Sequence, residues 1–365
     1  MDFLINTFTH WEEPPRARHQ VAYALARNHT VVFVAANKVG FPGIMTSRVQ
    51  ENLSLVQPRF FVGNKIRYRI PVLNEIYQNW LYKKLKKSYG DHRIINFDFT
   101  ATRIYNYFKE VIFYYNDNLA AISKRLNPGF IARYHERAES KVAAEANFCI
   151  SVTPLLKEKL QEFNPASHEI PLGGPDIKEF GIEVNETIQA EAPIRVGLVG
   201  FISDYSISSD IINFVLNQEN MVLVVVGPME NSFMDKLRNR DRMILKGTLT
   251  GKELFEAINE FDIAIAPYCR AITKDDSVGV GTGSKMYQYL ALGKPVVISD
   301  MVGLKNVSLP EKFLYIASEE DNFPLLINKA HKENTPSAIR ERVSYANENT
   351  WEKRMETLIK IYHNQ

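Results

Sequence analysis

The sequence predicts two doubly wound α/β domains in one chain. Three observations predict it. Short apolar runs rich in Val and Ile alternate with amphipathic stretches along nearly all of the 365 residues, the pattern of strands and helices in a parallel sheet. The alternation runs in two series, separated by an acidic, irregular connection over residues 181–193. The length also exceeds what one ordinary core fills, which favours two domains. We place the first domain over residues 1–172 and the second over 173–348. An amphipathic helix over 349–365 follows.

Composition narrows the function. The chain is 45% hydrophobic and 24% charged, values of a folded, water-soluble protein. A net charge of +2 gives no overall drive toward nucleic acid. Cys149 and Cys269 each follow or end an apolar run. They read as reduced, near-core residues, with no disulfide framework and no metal spacing. The first residues lack a basic start and a long apolar region, and no apolar run reaches the ~20 residues that span a bilayer. The expected location is the cytoplasm.

In the first series, residues 2–8 read as a strand and 30–35 as the next. Between them Pro14 and Pro15 open a helix running to about residue 28, since proline is tolerated in a helix's first turn. The loop before it carries His10, and the helix carries Arg16 and Arg18. Residues 53–57 are a third strand. The region 60–93 then alternates basic and aromatic residues and is helical over 75–88, with Ile76, Trp80 and Leu81 spaced to share a face. Its cluster of Lys83, Lys84, Lys86 and Lys87, with Trp80, fits a membrane-surface or lipid-acceptor face. An ordinary solvated helix has the same pattern.

Residues 93–99 and 111–116 are two further buried strands, ending at Asp98 and at Asn116-Asp117. Ligands bind at the carboxyl ends of strands in open α/β sheets. Asp98 and Asp117 are therefore candidates to hold or deprotonate an acceptor hydroxyl, and His10 is a third candidate catalytic group. Asp is also a common turn and cap residue. A long helix over 128–146 presents His135 and Glu139 on what reads as a mostly solvated face. A strand over 148–152 and a helix over 155–163 close the series.

The second series has strands over 194–199, 222–226, 243–245, 263–266, 296–298 and 313–316. Helices fall near 208–218, 231–238, 251–261 and 284–292. Its most informative part is DIAIAPYCRAITKDDSVGVGTGSKMYQYLALGKPVVISD, residues 262–300. Two apolar strands enclose a glycine-rich loop and a helix that buries Met286, Tyr289 and Leu290 at i, i+3, i+4. Gly293 suits the left-handed position past the helix end, and Pro295 stops continuation. Gly281, Thr282, Gly283 and Ser284 thus meet a helix N-terminus, where free N–H groups and the dipole favour an anion. Lys285 adds a cation. The spacing is not that of a P-loop.

S-K-M-Y-Q-Y-L-A-L-G-K-P-V-V, residues 284–297, resembles the donor-site helix of GT-B glycosyltransferases, particularly glycosyltransferase family 4, where K-x-x-E-Y-L-A-x-G-x-P-V-V is typical. Gln288 stands where that family has a glutamate on the ribose, and Val280 falls at its other paired glutamate. The stretch W-x-x-x-x-R-x-R-H-Q-x-A-x-x-L-A from Trp11 resembles the opening of the teichuronic-acid-type, surface-polysaccharide branch. Residues 148–180 resemble the family's crossing between domains.

The resemblance implies a GT-B fold: two Rossmann-like domains facing a cleft, with the C-terminal helix crossing back to the N-terminal domain. It also implies a retaining hexosyltransferase that needs no metal. The donor would be a nucleotide-diphosphate sugar, UDP- or GDP-linked, and nothing else would be tightly bound. Donor contacts would come from Gly200, Phe201, Lys246, Gly247, Thr248, Tyr268, Arg270, Thr282, Gly283, Ser284, Lys285 and Gln288. The acceptor would be a saccharide or a polyprenyl-linked saccharide, met by Arg16, Arg18 and the lysine-rich face, with possible peripheral membrane contact. Two other readings share the fold: a sugar-nucleotide epimerase, and a non-catalytic subunit that binds a partner or lipid.

Overall fold

The computed structural model describes every residue except 189–192, 274–283, 305–308, 311 and 365, and of Ser284 only the backbone. The chain divides into two compact units. One is Met1–Pro171 with Arg354–Gln365, and the other is Leu172–Lys353.

The first unit holds a nine-stranded sheet: β1 Asp2–Asn6, β2 Thr30–Val34, β3 Lys38–Val39, β4 Gly43–Gln50, β5 Leu53–Phe60, β6 Arg93–Asn96, β7 Val111–Tyr115, β8 Phe148–Ser151 and β9 Ser167–Glu169. Their order is β3-β5-β2-β1-β6-β7-β8-β9, with β4 paired to β5. That β4 pairing is antiparallel and the others are parallel. Chain order therefore runs outward from β1 in one direction, returns, and leaves from β6 in the other. The reversal between β1 and β6 is the position where open α/β sheets hold ligands. Leu4, Val32, Ile94 and Val111 pack against Tyr77, Leu81, Tyr82 and Leu85 of helix Pro71–Tyr89.

Two expectations for this unit need correction. Ile76 is exposed and does not share a face with Leu81; the buried positions of helix Pro71–Tyr89 include Asn74 and Gln78. These polar groups are bonded, as burial requires: Asn74 Nδ2 donates to Thr100 Oγ1 at 3.1 Å and Gln78 Nε2 to Thr100 O at 2.7 Å. Likewise His135 and Glu139, on helix Gly129–Glu145, are buried rather than solvated. His135 meets Ser123 Oγ at 2.6 Å and Tyr68 O at 2.9 Å. Glu139 accepts from Tyr115 Oη at 2.6 Å and pairs with Lys159. β3, β4 and β9 lie outside the sequence-predicted strands. Terminal helix Trp351–His363 places Tyr362 beneath the Arg93 guanidinium, 5.0 Å from ring centroid to Cζ.

The second unit is a six-stranded parallel sheet: β10 Ile194–Val199, β11 Met221–Val226, β12 Met243–Leu245, β13 Ile263–Ala266, β14 Val296–Ser299 and β15 Leu314–Ala317. The order is β12-β11-β10-β13-β14-β15, so this sheet reverses between β10 and β13. Leu198, Leu223, Ile265 and Val297 form its core with Ile211, Val215 and Phe323.

Candidate functional site

Along the carboxyl edge of the second sheet, three neighbouring strands end in glycines with positive φ. Gly200 follows β10 (φ +137°), Gly227 follows β11 (φ +129°) and Gly247 lies just beyond β12 (φ +68°). They are laced together. Gly200 N–H donates to Val226 O at 2.8 Å, and Gly227 N–H donates to Gly247 O at 2.7 Å. A Cβ on Gly227 would stand 2.1 Å from Gly200 O. Only glycine allows strand ends to approach this closely with these dihedrals.

Lys285 fills the space that Gly200 leaves. A Cβ on Gly200 would lie 2.1 Å from Lys285 Nζ. Helix Ser284–Ala291 carries this lysine, and one turn later its buried Tyr289 accepts a hydrogen bond from Val199 N–H at 3.0 Å. Residues i and i+4 share a helix face, so the Tyr289 bond to the end of β10 fixes where Lys285 sits. Burial lowers the Lys285 ammonium below its usual range. The result is a cation above a side-chain-free rim at the sheet's reversal point, an arrangement suited to oxyanions. Gln288 is half-buried at i+3 from Lys285.

The other predicted donor residues are spread along the same edge. Phe201, Gly247 and Thr248 are exposed beside the glycines. Lys246 Nζ is held at 2.6 Å by Glu260, which also takes Arg195 at 2.6 Å. Its backbone, not its free charge, borders the rim. Tyr268 and Arg270, beyond β13, line a pocket of about 150 Å³ with Ser299, Asp300, Glu319 and Glu320. Arg270 lies 3.4 Å from Glu319. Thr282 and Gly283 lie outside the described residues, as do Gly281, Val280 and the pair Asp275-Asp276, and the Ser284 side chain is not described. Among the described residues no group of three His, Cys, Asp or Glu is placed to hold a metal ion.

In the first unit, His10, Asp98 and Asp117 occupy loops after β1, β6 and β7, three adjacent strands. Asp98 is buried and fully engaged: Tyr68 Oη donates to Oδ2 at 2.6 Å, and Thr100 donates twice to Oδ1, at 2.8 and 2.7 Å. Both of its carboxylate oxygens are thus bonded within the unit. Asp117 accepts from Asn116 Nδ2. Burial pushes its carboxyl up to about 6, with Arg18 and Arg16 pulling the other way. His10 is half-exposed, and its backbone N–H donates to Glu13 Oε1 at 3.1 Å.

Arg16 and Arg18, two residues apart, differ sharply. Arg16 is exposed and bonded to Glu13 at 3.1 Å, whereas Arg18 is buried. Trp80 packs between Phe60 and Tyr77, at ring distances of 5.4 and 6.0 Å. Lys83, Lys84, Lys86 and Lys87 are exposed. Among the described residues no helix is long and apolar enough to cross a membrane.

His19 is a residue whose part the sequence did not suggest. Its Nδ1 accepts from Arg16 N–H at 3.1 Å, capping helix Ala17–Ala26, and its ring stacks on Phe33 at 5.1 Å. Burial, reinforced by Arg18, lowers it to about 4. A histidine kept neutral in the fold but free to protonate when unfolded near 6.5 stabilises at neutral pH. That stabilisation is lost as pH falls from 6.5 toward 4, by at most about 3 kcal/mol. Urea unfolding of wild type and His19→Gln across this window measures the difference. The wild type is expected to lose stability more steeply, and parallel curves would exclude it. Asp117 titrates with the opposite sign in both proteins and cancels.

The paired doubly wound sheets place the fold in the GT-B class. Residues 206–330, most of the second unit, match the family model described as glycosyl transferases group 1. Sucrose-phosphate synthase from Thermosynechococcus elongatus superposes with a TM-score of 0.73 at 13% identity, over 100% of this chain and 98% of that one. Anabaena HepE in complex with UDP gives 0.65 at 11%, over 100% and 99%. WaaG, a glycosyltransferase involved in lipopolysaccharide biosynthesis, gives 0.67 at 14%, over 98% and 99%. At these identities the likeness is one of fold. No curated protein matches the chain.

Proposed function

We propose that the chain is a glycosyltransferase that moves a sugar from a nucleoside diphosphate sugar to a hydroxyl of a saccharide or polyprenyl-linked acceptor, in surface-polysaccharide synthesis. The observation that carries this is the Lys285 ammonium seated over Gly200, within residues that match glycosyl transferases group 1. In this reading Lys285 and the helix dipole stabilise charge on the departing diphosphate, and the glycines let it approach. A metal is then unnecessary, and retention requires the acceptor oxygen to bond to the anomeric carbon on the face from which the diphosphate departs. HepE was crystallised with UDP, which supports a uridine or similar nucleotide here. Asp117 takes the acceptor proton, because a carboxyl near 6 is a better base at neutral pH than an ordinary one. The exposed lysines 83, 84, 86 and 87 face an anionic membrane that presents the acceptor.

Thermal unfolding with UDP, GDP, CDP and ADP tests the proposal, because a ligand of the native state raises the midpoint. One nucleotide should shift it by several degrees, and its sugar derivatives should be consumed when an acceptor is supplied. No shift with any of the four would sink the donor assignment. In parallel, the protein should sediment with phosphatidylserine vesicles, and failure to do so removes the membrane component.

A further inference from the structure

One buried group of the first unit has no part in its framework. Arg18 is 3% exposed, yet its Nε and Nη1 have no hydrogen-bond partner. Other buried arginines show the contrast. Arg67 donates to Asn37, Asn64 and Asn74, and Arg342 donates to Gly293 O, Lys312 O and Asn334. A cation withdrawn from water without partners is costly. It persists where a ligand supplies the missing acceptors.

The surroundings of Arg18 supply a ring face and nearby charge but no acceptor for these two nitrogens. One face of its guanidinium lies 4.3 Å from the Phe8 ring centroid. Asp117 and Glu13 favour its charge and Arg16 opposes it, but neither carboxylate bonds to it. Arg18 stands on the helix that follows β1, beside the reversal between β1 and β6, where an open α/β sheet receives its ligand. A planar guanidinium suits phosphate or carboxylate oxygens better than neutral hydroxyls.

We propose that Arg18 binds the anionic group, phosphate or carboxylate, of a charged sugar, whose oxygens accept from its free N–H groups. The proposal rests on the glycosyltransferase reading only in making that sugar the acceptor. Asp117, close enough to act on Arg18, then has the sugar's hydroxyl within its neighbourhood while Arg18 holds its charge.

The test is calorimetric titration of the full chain with glucose 6-phosphate, glucuronate and glucose. At least one anionic sugar should bind 10-fold or more tighter than glucose, and which one names the group. Arg18→Met should remove that preference, leave nucleoside diphosphate affinity unchanged, and raise the melting temperature, because an unpaired buried cation becomes an apolar chain. Arg18→Lys should keep part of the preference. The proposal is overturned if wild type does not discriminate the anionic sugars from glucose, or if Arg18→Met still does. It is also overturned if both variants melt lower than wild type, the mark of a framework arginine. Loss of the donor reading would show separately, as absent nucleoside diphosphate binding in wild type.

Discussion

Replacing Gly200 with alanine is expected to weaken nucleoside diphosphate binding about 30-fold, the equivalent of about 2 kcal/mol, while the second unit stays folded. The new methyl group would stand 2.1 Å from Lys285 Nζ and 2.9 Å from its Cε. The obstructed atoms are the free end of a flexible side chain, so the lysine moves aside at little cost in packing. What is lost is its placement over the rim. The backbone contributes as well: φ +137° is unfavourable for any residue with a Cβ, at about 1–3 kcal/mol of stability. Lys285→Ala should produce a similar loss of affinity with no such loss of stability. Because both changes remove one interaction, their effects on binding should not add. Calorimetry on the two single variants and the double variant measures this, and additive losses would separate the two residues' roles.

Arg342→Ala is expected to destabilise the second unit by about 3–5 kcal/mol. The side chain is completely buried and reaches three acceptors. Nε donates to Gly293 O at 2.7 Å, Nη1 to Lys312 O at 2.8 Å, and Nη2 to Asn334 Oδ1. Two of these acceptors belong to residues with φ near +70°, Gly293 and Lys312. One guanidinium therefore ties down both left-handed turns and the end of the site helix. Truncation leaves two buried oxygens, Gly293 O and Asn334 Oδ1, without this donor, also frees the part-buried Lys312 carbonyl, and opens a cavity. Denaturant titration should show an earlier midpoint for one transition. Arg342→Lys, which keeps the charge but cannot fork to three acceptors, should fall between. A change of less than about 1 kcal/mol in Arg342→Ala would mean that water or a neighbour replaces the guanidinium.

Much of the fold could be read from the chain because both sheets, apart from the β4 pairing, are parallel and their central strands are buried. Their strands are then unbroken apolar runs such as VVFV or VVIS, which stand out against the helices between them. Helix Ser284–Ala291 was readable for a similar reason, since its glycine-rich approach, apolar spacing and Gly293-Pro295 stop agree. Features that depend on polar burial were not readable. Periodicity counts apolar residues, so it left His135 and Glu139 on a solvated face and did not single out Asn74 or Gln78, although each sits in a bonded network. Arg16 and Arg18 were read alike, as acceptor contacts, and only the three-dimensional surroundings separate the buried one from the exposed one. Gly227 escaped notice even though V-V-V-G-P ends its strand much as G-L-V-G-F ends β10. That repeated strand-then-glycine ending was the available signal. β3 and β4 carry mostly exposed, mixed residues and have no apolar run to announce them.

The glycine rim also constrains how this protein can evolve. Gly200, Gly227 and Gly247 abut in space but arrive from three separate segments, and each holds a conformation that other residues adopt poorly. A side chain gained at Gly200 or Gly227 collides with a neighbour, so no single substitution there leads smoothly to a reshaped pocket. Sequence drift is channelled to flanking positions such as Phe201 and Thr248, whose side chains are exposed. New ligand preferences would thus arise by exchanging what surrounds an unchanging floor. Two descendants of this chain could differ widely in what they recognise while their three glycines stay the same.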